Sequence, residues 1–76
     1  MSVIIYSTPF CPWCKVAKGF LTARKITYTE INVSGNKKAV AEMVKKSGQY
    51  SVPVIDINGK IIVGFDEEAL TKALKK

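Results

Sequence analysis

Thr8-Pro9-Phe10-Cys11-Pro12-Trp13-Cys14 contains both cysteines of a 76-residue chain. Upstream lies Val3-Ile4-Ile5-Tyr6, an apolar run of strand composition, and downstream a segment with helical spacing. The thiols therefore sit where a strand hands over to a helix. Pro12 suits the first helical position, because its φ is fixed and the N–H it lacks would have no partner inside the helix. Cys11 then falls at or near the N-cap, beside unsatisfied backbone N–H groups and the positive end of the helix. That setting favours thiolate and makes Cys11 the more acidic and more exposed sulfur. Cys14 lies a turn further on, on the side carrying Ala17 and Leu21, and is expected to be covered. An outer attacking thiolate and an inner resolving thiol are what disulfide exchange needs, since a second thiol must release the mixed disulfide.

Two cysteines at this spacing have other uses. A buried pair could simply fill space, since free Cys is a small hydrophobe. A closed zinc site wants four ligands, and the chain has two cysteines and no histidine. A metal or iron–sulfur cluster shared between two chains needs only two thiolates from each. The redox pair is the preferred reading, and no resident metal is expected.

Length implies one domain over residues 1–76. A chain this short buries only roughly 60–65% of its unfolded surface, so nearly every apolar stripe must be used. The hydrophobic share of 47% suits a packed globule rather than a disordered tail. No apolar run approaches the ~20 residues of a membrane span. The N-terminus has no basic start or cleavage signature. Together these features predict a cytoplasmic monomer with a redox pair rather than a secreted, disulfide-stapled domain. The net charge of +6 comes from 12 basic against 6 acidic residues, and eleven of the twelve are lysines. With one arginine and no nucleic-acid motif, nucleic acid is not an expected partner. The charge would steer acidic proteins or anionic thiols instead.

Ser2 to Tyr6 reads as a first strand, apolar without alternation and so covered on both faces. Pro12 to about Arg24 reads as the first helix. Lys15 and Lys18 sit in its first two turns, where basic residues oppose the helix dipole. Their expected use is to raise the positive potential near Cys11. Gly19 costs up to ~1 kcal/mol in a helix interior. Ile26 to Ile31 is β-branched and aromatic and predicts an edge strand, with Ile26, Tyr28 and Glu30 alternating against Thr27, Thr29 and Ile31.

Lys37 to Ser47 predicts the second helix, with Val40, Met43, Val44 and Ser47 as its inner stripe, Ala39 beside it, and Gly48 ending it. Lys38–Glu42 and Glu42–Lys46 are spaced to pair weakly. Val54-Ile55-Asp56-Ile57 and Lys60-Ile61-Ile62-Val63 flank Asn58-Gly59, a strong signal for a hairpin with a type I′ turn. Asp66 reads as the N-cap of a last helix, with Glu67 and Glu68 in its first turn and Leu70, Ala73 and Leu74 buried. Lys72, Lys75 and Lys76 stand toward its C-terminal end. The order is β-α-β-α-β-β-α. The layer solution is an α/β fold with a four-stranded mixed sheet and helices on both faces, begun by a parallel right-handed βαβ unit.

Three stretches carry a family resemblance: Tyr6 to Cys14; Ser51-Val52-Pro53 ahead of the third strand; and Gly64-Phe65-Asp66-Glu67-Glu68 leading into the last helix. Over essentially its full length the chain resembles the glutaredoxin and glutaredoxin-like branch of the thioredoxin fold. The resemblance implies a thiol–disulfide oxidoreductase acting through Cys11 and Cys14 on disulfide-containing proteins or glutathione. It also implies a cis Pro53 facing the disulfide. The Val52 backbone would pair with incoming peptide or glutathione like a short added strand, and Pro12 and Trp13 would shape the rim of the groove.

The same resemblance implies a binding role for Gly64, Phe65, Asp66 and Glu67, but this loop departs from the glutathione-using pattern. There it is commonly Gly-Gly, then Cys or Ser, then Asp-Asp, holding the γ-glutamyl carboxylate on backbone N–H groups. Here Phe65 takes a glycine place, and Asp66, Glu67 and Glu68 set three consecutive acids against a carboxylate ligand. The lysine often found shortly before the first cysteine is also missing, with Thr8 and Pro9 in that region. Gly64-Phe65 is instead similar to the Gly-Phe of redoxins that serve ribonucleotide reductase and take electrons from thioredoxin reductase. The Trp-Ser and Arg-Pro that flank it in that group are absent. The resemblance thus leaves two readings open, glutathione as co-substrate, or an electron donor for ribonucleotide reductase that is itself fed by the flavin enzyme thioredoxin reductase. A non-enzymatic docking or cluster-bridging module is the alternative of a different class.

Overall fold

The computed structural model describes residues 2–74. The elements follow the expected order: β1 (Val3–Ser7), α1 (Pro12–Ala23), β2 (Thr29–Asn32), α2 (Lys37–Ser47), β3 (Val54–Ile57), β4 (Lys60–Val63) and α3 (Glu67–Leu74). The expectation for Lys75 and Lys76 lies outside the described residues. The sheet runs β2-β1-β3-β4. β1 pairs parallel with β2 and antiparallel with β3, which pairs antiparallel with β4. This is the thioredoxin-like arrangement, with β2 on an edge as expected.

The uninterrupted apolar run of β1 is covered on both faces. Val3 and Ile5 pack with Ala17 and Leu21 of α1 and Leu70 of α3. Tyr6 packs on the other face with Val33 and with Ala39 and Met43 of α2, and Ile4 lies against the same cluster. β3 divides the same way, with Ile55 and Ile57 toward α1 and α3 and Val54 toward α2.

One predicted boundary and one predicted helix face differ in the structure. β2 starts three residues later than expected, because α1 closes on the chain that follows it. Ile26 N–H donates to the Leu21 carbonyl at 3.0 Å and Lys25 N–H to Thr22 at 2.9 Å, with Lys25 at φ 58°. These two bonds make a Schellman motif without a glycine. Ile26 and Tyr28 are therefore outside the ladder but still pack on the α1 core, while Ile31 faces the other cluster. In α2, Ala39 and Met43 are the buried residues, and Val40, Val44 and Ser47 are only half-buried. The inner face is thus rotated about one position from the predicted stripe.

Asn58 and Gly59 both have positive φ, 52° and 89°, as a type I′ turn requires. Asp56 of β3 is buried, and its Oδ2 accepts from Lys46 Nζ at 2.9 Å. Lys46 also donates to the Tyr6 hydroxyl at 2.8 Å, which in turn donates to Glu42 Oε1 at 3.0 Å. This network ties α2 to the sheet on the face away from α1.

Candidate active site

The end of β1, the start of α1 and the loop before β3 bring the thiols and their neighbours together. Cys11 is the N-cap of α1, in extended geometry at φ −99° and ψ 110°, with Pro12 in the first turn. Its sulfur accepts from the Cys14 N–H at 3.2 Å. The Cys11 thiol is 3.8 Å from the Val52 carbonyl, its acceptor in the loop before β3. Both cysteines are free thiols, Cys11 half-exposed and Cys14 buried. The division into outer and inner sulfur follows from the helix: position 14 lies on the face that carries buried Ala17 and Leu21.

Burial pushes the Cys14 thiol up to about 11, and its contact with Cys11 pushes the same way. The Thr8 backbone N–H and the Lys18 ammonium pull in the opposite direction. Lys18 bonds Glu30 Oε2 at 2.8 Å, and the same carboxylate oxygen takes the Ser7 hydroxyl at 2.9 Å. The Lys18 ammonium is thus held by Glu30 on β2. Lys15 is exposed. Nothing in the sequence singled out Glu30 or Ser7, because a polar residue on an edge strand has no signature beyond its alternation.

Beside the sulfurs runs a groove of about 250 Å³ lined by Trp13, Val52, Pro53, Gly64 and Phe65. The Val52–Pro53 bond is cis. Gly64 N–H donates to the Pro53 carbonyl at 2.7 Å, holding the loop before α3 against this wall. Five of the proposed binding residues thus converge, with Pro12 on the adjoining turn. Phe65 fills space rather than leaving it open, and stacks on Trp13 with centroids 6.1 Å apart. Asp66 turns away to cap α3, its Oδ1 accepting from Ala69 N–H at 3.1 Å. Asp66 lines a different recess with Lys60, Glu68, Ala69 and Lys72, and Glu67 is exposed at the start of α3. A larger recess of about 610 Å³, over α2 beside Val40, Val44 and Tyr50, shares no lining residue with the thiol groove.

Among the described residues, no three His, Cys, Asp or Glu side chains cluster as a metal site. No helix there is long and apolar enough to cross a membrane.

Residues 3–62 match the family model described as glutaredoxin. The chain belongs to the glutaredoxin family. Among its relatives is an uncharacterized glutaredoxin-like 8.6 kDa protein in the rubredoxin operon of Clostridium pasteurianum, 46% identical over 95% of this chain and 96% of that one. Glutaredoxin 3 of Escherichia coli K12 is 36% identical over 87% of this chain and 80% of its own. The crystal structure of the glutaredoxin grx-1 from Archaeoglobus fulgidus superimposes with a TM-score of 0.91 at 29% identity, covering 99% of this chain and 87% of that one. Cys11-Pro12-Trp13-Cys14 is the dithiol redox-active site of this glutaredoxin-family chain. Its family match includes the Val52-Pro53 wall and ends before the Gly64–Glu67 loop.

Proposed function

We propose that this chain reduces disulfides of proteins or small thiol compounds in the cytoplasm. Cys11 is the nucleophile and Cys14 the resolving thiol, and a separate reductase restores the pair. The observation that carries the reading is the Cys14 N–H aimed at the half-exposed Cys11 sulfur, with Cys14 itself buried one turn behind. The Cys11 thiolate attacks one sulfur of the substrate disulfide, forming a mixed disulfide and releasing the first substrate thiolate, which takes up a proton. Cys14, having lost its proton to solvent, attacks the Cys11 sulfur. The Cys11–Cys14 disulfide forms and the second substrate thiolate leaves. Two electrons have passed from the pair to the substrate. Backbone groups at Val52 would hold the substrate chain beside Cys11 as an added strand.

The Gly64–Glu67 loop weighs toward a flavin reductase as electron source over glutathione. Phe65 occupies the room that a glycine would leave, and three acids open α3 where a glutathione carboxylate would dock. The test is NADPH-coupled turnover of a model disulfide, with either thioredoxin reductase alone or glutathione plus glutathione reductase. Turnover with the first alone is expected. Turnover only with the second would make glutathione the co-substrate, and silence in both with free thiols would overturn the oxidoreductase reading.

A further inference from the structure

Cys14 must ionise to resolve a mixed disulfide, yet it is fully buried, and burial pushes its thiol up to about 11. One helical turn from it lies a polar cluster of Lys18, Glu30 and Ser7. The Thr8 backbone favours ionisation of the Cys14 thiol. Ser7, the residue before Thr8, is only 1% exposed and donates its hydroxyl to Glu30 Oε2 at 2.9 Å. That oxygen also receives Lys18 Nζ at 2.8 Å. Lys18 lies four residues after Cys14, hence one turn along the same helix face. Its side chain is 27% exposed, so its charge is less screened than that of a free surface lysine.

Resting on the dithiol reading above, we infer that Lys18 is a positioning residue for the resolving step: Glu30 and Ser7 hold its ammonium where it stabilises the Cys14 thiolate. The influence runs both ways, since the Lys18 ammonium favours the Cys14 thiolate and Cys14 raises Lys18. The other groups facing this pair are Cys11 on α1, which opposes ionisation of Cys14, Glu30 on β2, and Tyr28 just before β2, which acts on Lys18. Glu30 has two opposed effects. It fixes Lys18 in place and offsets part of its charge. Lys18 neither takes nor gives a proton in the step. The Cys14 proton goes to solvent, the Cys14 sulfur bonds the Cys11 sulfur, and the substrate thiolate departs.

The probe is 5,5′-dithiobis(2-nitrobenzoate), mixed with the reduced full chain in stopped flow across a range of pH. Attack by Cys11 releases one thionitrobenzoate, and attack by Cys14 on the resulting mixed disulfide releases a second. With Lys18→Met, the second release is expected to slow about three- to tenfold at neutral pH, with the gap closing as pH rises and Cys14 ionises unaided. Lys18→Arg retains the original profile. Glu30→Gln keeps hydrogen-bonding atoms but no charge, and speeds the second release at neutral pH. The inference is overturned if Lys18→Met leaves the second release unchanged. It is also overturned if that release slows equally at every pH, or if Lys18→Met and Glu30→Gln slow it alike, for then the ion pair only pins the turn. Absence of the first release in the unaltered protein would instead sink the dithiol reading itself.

Discussion

The Trp13 and Phe65 rings stack with centroids 6.1 Å apart and planes 17° apart, and Phe20 meets the same Phe65 ring edge-on at 5.7 Å. Through these contacts the loop before α3 is fastened to α1 by a side chain standing where glutathione-using relatives commonly place glycine. Phe65→Ala should therefore do two things. It should lower stability by about 1–3 kcal/mol, the low end for losing an aromatic ring because Phe65 is only half-buried. It should also open the groove and raise glutathione-coupled turnover relative to turnover with a flavin reductase. Urea unfolding reads the first effect, and the ratio of the two coupled rates reads the second. An unchanged ratio would mean that Phe65 does not gate glutathione.

The buried thiol gives the reduced protein a pH-dependent stability. Cys14 is neutral when protonated, and folding raises it from 9.0 to about 11. The unfolded chain thus loses this proton more readily than the folded one. The Cys14 contribution is complete below about pH 9 and is lost as pH rises through about 11. Two units correspond to roughly 2–3 kcal/mol at most. Tyr6, Lys18 and Lys46 are also raised and add losses of the same sign at alkaline pH. Replacement isolates the thiol: between pH 8 and about pH 11, Cys14→Ala should lose less stability than the reduced parent. Parallel stability curves for the two proteins would refute the assignment.

Lys46 joins Asp56 Oδ2 at 2.9 Å and the Tyr6 hydroxyl at 2.8 Å, with Glu42 at 3.6 Å. Lys46→Met would leave the mostly buried Asp56 without its cation, and removing one partner of such a pair costs more than the pair contributes. A loss of about 2–4 kcal/mol is expected, with about 1 kcal/mol for Tyr6→Phe. A double-mutant cycle with Asp56→Asn should show that much of the Lys46→Met cost disappears once the carboxylate is gone. Additive losses would show that Lys46 acts through packing alone.

The sequence pattern located what local chemistry dictates and missed what depends on distant partners. Asn58-Gly59, Asp66 ahead of two glutamates, and Pro12 after Cys11 each announce their geometry through backbone preference or capping, and each stands as expected. The end of α1 was less legible, since Lys25 takes a positive φ that usually signals glycine. Asp56 reads as one polar residue in an apolar strand until Lys46, Tyr6 and the Gly59 N–H are seen around it. The pairing of Lys18 with Glu30 depends on where β2 lies beside α1, which helical spacing alone does not specify.

Gly19 separates packing from propensity. Close approach of a neighbour would justify a glycine inside α1, but a Cβ built there meets nothing within 4 Å. It does not have the positive φ of the other four glycines. Gly19→Ala should therefore stabilise the fold by up to about 1 kcal/mol, through helix propensity and a less flexible unfolded chain. Thermal unfolding with an unchanged rate of disulfide exchange would confirm that the position is neutral for function. A fall in stability would reveal a constraint on α1 that its contacts do not display.

Asp66 separates capping from charge. Its Oδ1 accepts the Ala69 N–H at 3.1 Å, at the start of a helix whose first turn already carries Glu67 and Glu68. Asparagine caps as well as aspartate, while alanine at an N-cap costs about 0.5–2 kcal/mol. Asp66→Asn should thus keep most of the stability, apart from the few tenths of a kcal/mol that a carboxylate gains at a helix N-terminus. Asp66→Ala should lose the cap as well. If negative charge at this loop is what disfavours the glutathione carboxylate, Asp66→Asn should lower the KM for glutathione in the coupled assay. Phe65→Ala should do so by a separate, steric route, and the double variant should show both gains. A glutathione KM insensitive to Asp66→Asn would remove charge from the account and leave the Phe65 ring as the feature that sets the electron source.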